Sequence, residues 1–78
     1  MPTVLRSGPY RFFFYSSDGG EPPLIHVARD DAVAKFWLDP LQHDHSLGFR
    51  PPELRRIESI IAEQRADLLN AWNEYFAQ

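Results

Sequence analysis

"LIHVARDDAVAKFWL", Leu24 to Leu38, decides the fold. Two runs rich in β-branched, aromatic and aliphatic residues flank the pair Asp30-Asp31. Such runs around a two-residue polar break read as a hairpin, although Asp-Asp is a weaker turn signal than Asn-Gly. With the aspartates as the turn, Arg29 pairs with Ala32 and His26 stands opposite Lys35. Side chains alternate along a strand. One face then carries Ile25, Val27, Ala34, Phe36 and Leu38, a credible core. The other carries Leu24, His26, Ala28, Val33, Lys35 and Trp37.

Upstream, "SGP" at Ser7–Pro9 separates "TVLR" from "YRFFFYS", two further strands joined by a tight turn. Tyr10–Tyr15 is aromatic on both faces, as a strand covered on each side would be. "SSDGGEPP" is a loop by composition, and Pro22 and Pro23 delay pairing until Leu24. Downstream, "DPLQHDHSLGFRPP" reads as a connector with Leu41, Leu47 and Phe49 tucked beneath it. A helix follows: Pro52 suits its first turn and Glu53 the positive end of its dipole. Leu54, Ile57, Ile61, Leu68, Trp72 and Tyr75 recur at helical steps, widened by Ile60, Leu69 and Phe76. The expectation is one α+β domain over residues 1–78. It consists of a small, mainly antiparallel sheet of about four strands, packed on one long C-terminal helix.

A chain of 78 residues with no cysteine cannot use disulfides or thiolate-bound metal. Its six Phe, three Tyr and two Trp must supply much of the core or of an interface. No charged head leads into an apolar run at Met1–Arg6, so no signal peptide is expected, and no stretch is long and apolar enough for a membrane helix. A cytoplasmic protein is the expectation. The net charge of −3 argues against broad nucleic-acid binding. Its distribution is uneven: residues 1–17 carry Arg6 and Arg11 and no acid.

The most chemical pair is His26 with Lys35. A neighbouring ammonium pushes an imidazole towards its neutral form, which suits a general base. Either Arg11, Phe13 and Tyr15 or Tyr10, Phe12 and Phe14 share the face of His26; the choice depends on the strand register. His43 and His45 with His26 make a weak three-histidine metal pattern, and no metal or cofactor is expected. Asp18, Glu21 and Asp39 flank the hairpin ends and are candidate carboxylates. No phosphate-binding glycine loop, nucleophile elbow or zinc signature is present.

"GPYRFFFYS" (8–16), "GEPP" (20–23) leading into "IHV" (25–27), "AKFWLDP" (34–40), "ELRRIESII" (53–61) and "LLNAWNEYF" (68–76), in that order, resemble the bacterial family catalogued as domain of unknown function 4160. The resemblance runs from Pro2 to Phe76. It implies one half of a two-gene toxin–antitoxin module: a toxin acting on RNA or translation, neutralised by a small antitoxin protein encoded next door. It also implies a His-x-His pattern after the two prolines. Leu24 holds the first of those places and His26 the second, by drift or by a replacement that makes a toxic protein tolerable to produce. In this reading His26 is the acid or base, Lys35 and Arg11 hold phosphate, and Tyr10 or Tyr15 stacks a base. RNA or the ribosome is then the target. The alternative is a non-catalytic protein-binding module using exposed aromatics, Trp37 or Trp72 among them.

Overall fold

The computed structural model describes residues 3–76. Five strands form one antiparallel meander in chain order: β1 Thr3–Ser7, β2 Tyr10–Phe13, β3 Leu24–Arg29, β4 Ala32–Leu38 and β5 Leu41–Leu47. A single helix, α1, spans Pro51–Phe76 and crosses one face of the sheet. At about 1.5 Å rise per residue, it accounts for the longest dimension of the molecule, 37 Å.

The hairpin of β3 and β4 has the expected register, with Arg29 opposite Ala32 and His26 opposite Lys35. Asp30 takes the positive φ of 52° that the two-residue turn requires, a conformation aspartate tolerates better than most residues. Gly8, at φ 57°, serves the same purpose between β1 and β2. On the helix-facing side lie Phe12, Phe14, Ile25, Val27, Phe36 and Leu38, packed against Ile57, Ile61, Leu68 and Trp72 of α1. These four helix residues fall at steps of four, seven and four, one stripe of a 3.6-residue helix. Leu54, Ile60, Leu69 and Phe76 pack at its margins, while Tyr75 remains 40% exposed.

The helix begins where its sequence prescribes. The Arg50 carbonyl accepts the amides of Glu53 and Leu54 at 2.9 and 3.0 Å. Pro51 and Pro52 lie ahead of them and bring no N–H to be satisfied. Two arginines then tie α1 to the sheet. Arg29 of β3 grips Glu53 with two bonds, Nε to Oε2 at 2.5 Å and Nη2 to Oε1 at 2.8 Å. Arg65 donates to the Leu38 carbonyl at 2.6 Å and to Asp39 at 2.7 Å.

The segment expected to be a connector is the fifth strand. Asp39-Pro40 forms the turn rather than ending the sheet, and Leu41–Leu47 pairs with β4 along its length. Gln42–His45 shows no apolar alternation because β5 is an outer strand and these residues are exposed. Backbone pairing to β4 holds it, and backbone pairing leaves no mark in the side-chain pattern. Leu47, expected beneath the chain, is 73% exposed. Gly48 then turns the chain towards α1 at φ 92°, and a Cβ there would stand 3.0 Å from that of Ala32.

Candidate functional site

The face of the sheet away from α1 is only partly covered. Its centre is a cross-strand row in which Phe13 of β2 pairs with His26 of β3, His26 with Lys35 of β4, and Lys35 with His45 of β5. Pairing puts directly opposed residues on the same face, so Arg11, Phe13 and Tyr15 belong with His26, whereas Tyr10, Phe12 and Phe14 face the helix. A cleft of about 190 Å³ opens above this row, with Tyr15, His26, Lys35 and His45 around Phe13 and the exposed Val33 at its rim. It is smaller than a typical drug-sized pocket.

His26 is held from several sides. Its ring stacks on Phe13 at 5.5 Å and meets the edge of Tyr15 at 4.6 Å. Its Nε2 lies 3.0 Å from Oδ2 of Asp18. Asp18 comes from a short 3-10 turn, Ser16–Gly20, that folds the loop back onto the sheet. The same carboxylate oxygen accepts the Tyr15 amide at 2.8 Å, which fixes its direction. The turn can lie this close because Gly19 has no side chain: a Cβ there would stand 2.8 Å from the Phe76 ring.

Burial pushes the His26 pKa below the ordinary 6.5, and Asp18 offsets this only in part. The ring is therefore neutral at pH 7. A carboxylate can only accept, so the neutral ring donates Nε2–H to Asp18 and keeps its lone pair on Nδ1. Nδ1 makes no hydrogen bond to the described residues. A carboxylate-oriented imidazole with a free basic nitrogen beside a cleft is equipped to take a proton.

Lys35 has its ammonium 3.1 Å from Glu21 and 4.6 Å from the centre of the Trp37 ring. Arg11 lies one step along from the cleft, its guanidinium 4.5 Å over Phe13 and opposite Arg6 of β1. Neither Arg6 nor Arg11 has a carboxylate partner among the described residues. On β5, Asp44 accepts Trp37 Nε1 at 3.2 Å and lies 2.5 Å from His45 Nδ1. The bond to His45 holds its carboxyl below the usual carboxylate range, against the effect of partial burial, with Trp37 adding to it.

Two candidates from the sequence lie elsewhere. Tyr10 is buried on the helix side, 3% exposed, and donates its hydroxyl to Glu53 at 2.9 Å. Burial and that carboxylate raise its pKa. Leu24, opposite Trp37, has no exposed surface and belongs to the core. Trp72 is likewise core, against Phe14 at 5.2 Å and Phe76 at 4.2 Å, and is not an exposed docking aromatic. The three histidines do not converge. A bulge at Asp44 sets His45 beside Lys35 but His43 beside Phe36, on the opposite face. No group of three or more metal-ligating side chains occurs among the described residues.

Asp18 carries the most weight in the site and was only one of three candidate carboxylates. Of the others, Glu21 meets Lys35 and Asp39 meets Arg65. A tyrosine–serine–serine–aspartate run three residues before a proline pair does not announce that the aspartate turns inward. In the sequence His45 stands out only as a potential metal ligand.

No helix among the described residues is long and apolar enough to cross a membrane. A family model described as domain of unknown function (DUF4160) matches residues 10–73, a span that holds every cleft residue named above. No curated protein and no solved structure matches the chain. The chain belongs to the DUF4160 family.

Proposed function

We propose that this member of the DUF4160 family is a small cytoplasmic toxin directed at RNA, a ribonuclease-type domain that attacks a phosphodiester through the 2′-hydroxyl beside it. The observation that carries the reading is the Asp18–His26 pair at 3.0 Å, with Nδ1 free and Lys35 directly opposite. His26 takes the 2′-hydroxyl proton. Lys35 faces the phosphate and stabilises the charge that develops on it. Tyr15, 44% exposed, offers a ring on which a base can stack.

The acidic total is no obstacle to this reading, because charge is divided between the two sides. The open face balances Arg6, Arg11 and Lys35 against Asp18, Glu21 and Asp44, whereas α1 carries the acidic excess, Glu53, Glu58, Glu63, Asp67 and Glu74 against Arg55, Arg56 and Arg65. A neutralising antitoxin fits the same face: Val33, 43% exposed, pairs with Leu47, 73% exposed, at the rim of the cleft. A protein bound there buries both residues and closes the cleft. That apolar rim is also what favours the second reading, a non-catalytic module whose open face only docks a partner.

The test uses RNA cleavage and cell-free translation, with a thermal melt of each variant. Leu24→His restores the histidine that the family resemblance implies, and it is expected to increase either activity and to slow growth on induction. Adding His26→Ala is expected to lower that activity by about 10²–10⁴-fold, the usual contribution of a general base. Activity that survives in a folded double variant places the chemistry elsewhere and leaves the docking module as the better reading.

A further inference from the structure

The cleft holds a second carboxylate-backed imidazole that the proposed chemistry has not yet used. His26 and His45 stand on either side of Lys35 in one cross-strand row. Their Cα atoms are two strand spacings apart, about 9–10 Å, which leaves room for one phosphate between the rings. Each ring is fixed through one nitrogen: His26 by Asp18 through Nε2, His45 by Asp44 through Nδ1. Each leaves its other nitrogen without a hydrogen bond to the described residues, and both side chains line the cleft. Asp44 is itself anchored by Trp37 Nε1. The bulge that gives β5 one extra residue at Asp44 brings His45, rather than His43, to this face.

The geometry points to His45 as the general acid of an acid–base pair, with RNA phosphodiesters as the substrate class. The inference rests on the ribonuclease-type reading. In this reaction His26 Nδ1 removes the proton of the 2′-hydroxyl and the 2′-oxygen bonds to phosphorus. The bond from phosphorus to the 5′-oxygen breaks, and His45 Nε2 delivers the proton that this oxygen needs as it leaves. The products are a 2′,3′-cyclic phosphate and a 5′-hydroxyl; no co-reactant is consumed. The two environments divide the roles. The His26 side chain is 16% exposed and lines the cleft. The His45 side chain is 69% exposed and can reload its proton from water. The charged groups that face them are Asp18, Glu21 and Lys35 for His26, and Asp44 and Lys35 for His45.

A leaving-group comparison separates the two histidines. The probes are a short oligoribonucleotide and its counterpart with sulfur in place of the bridging 5′-oxygen at one linkage. A thiolate leaves without being protonated. His45→Ala, at an exposed position where folding is not at risk, is expected to slow the oxygen-linked substrate by about 100-fold or more. It should leave the sulfur-linked one within a few-fold of the unaltered chain, and His26→Ala should slow both. Equal losses on the two substrates, or no loss with His45→Ala, overturn the assignment of His45 while leaving His26 as the base. If neither the unaltered chain nor Leu24→His cleaves either substrate, the ribonuclease-type reading fails and takes this inference with it.

Discussion

Phe36 and Lys35 are neighbours on β4, yet Phe36 is 1% exposed beneath the helix and Lys35 reaches a cleft open to water. The same alternation runs through β2 and β3, where Phe12 and Val27 are fully buried and Phe13 and His26 face the other way. The helix-facing side is dry and apolar, and its polar contacts lie at the rim, where Arg29 meets Glu53 and Arg65 meets Leu38 and Asp39. The open side holds its polar groups in pairs: buried Asp18 with His26, and Lys35 with the exposed Glu21. A domain of this size has little stability to spare. The comparison teaches that it concentrates apolar burial on one face and leaves the other to hold side chains whose placement, rather than burial, matters.

Breaking the dry face has the largest expected effect. Phe36→Ala empties a site at the centre of the packing and should cost about 3–5 kcal/mol, enough to unfold much of the protein in a denaturant titration. His26→Ala is expected to cost only about 1–2 kcal/mol in the same titration, the loss of one of two partners of a buried carboxylate, while abolishing any activity of the cleft. If the two variants were equally destabilised, the division of labour between the faces would be wrong.

Tyr10→Phe probes the rim between the faces. It removes one bond to Glu53 but keeps the ring and its contact with Phe49 at 6.2 Å. The expected cost is about 1 kcal/mol, read as a small downward shift in melting temperature with the cleft untouched.

The smallest effect is on pH dependence, and it belongs to the open face. The folded His26 ring binds a proton less readily than the unfolded one, whose ordinary value is 6.5. Above that pH both states are neutral and the ring contributes nothing. As the pH falls below it, the unfolded chain takes up protons first and stability declines. The decline should be shallower in His26→Ala. Glu53 acts in a separate window. The hydrogen bond from Arg29, ahead of that from Tyr10, holds its carboxyl below the ordinary 4.5, so its contribution is complete above that value and is lost only as the pH falls below it. Melting curves between pH 7.5 and 5.5 therefore report on the open face without disturbing the rim.

The hairpin was legible because two independent signals agreed, the alternation in each strand and a two-residue polar turn. That agreement is enough to place His26 opposite Lys35 from the sequence alone, as the register has it. The helix was legible for a similar reason, since its apolar stripe and its prolines mark the same span. β5 was not, because an outer strand of Gln, His and Asp has the composition of a loop. The role of Asp18 was hidden as well. Its partner is eight residues away and is reached only because the turn at Ser16–Gly20 packs against Phe76. The separation of His43 from His45 depends on a single extra residue in the ladder, which spacing cannot reveal: on a regular strand the two would share a face.

That extra residue has a counterpart at the other side of the sheet, where Val4 interrupts the pairing of β1 with β2 between Thr3 and Leu5. Both outermost strands are thus kinked, and one of them is lined with imidazole and carboxylate groups. A free ladder of backbone amides and carbonyls invites another chain to continue it, and a kinked, charged margin discourages that. The irregularity that orients a side chain towards the cleft also guards the protein against runaway stacking into fibrils.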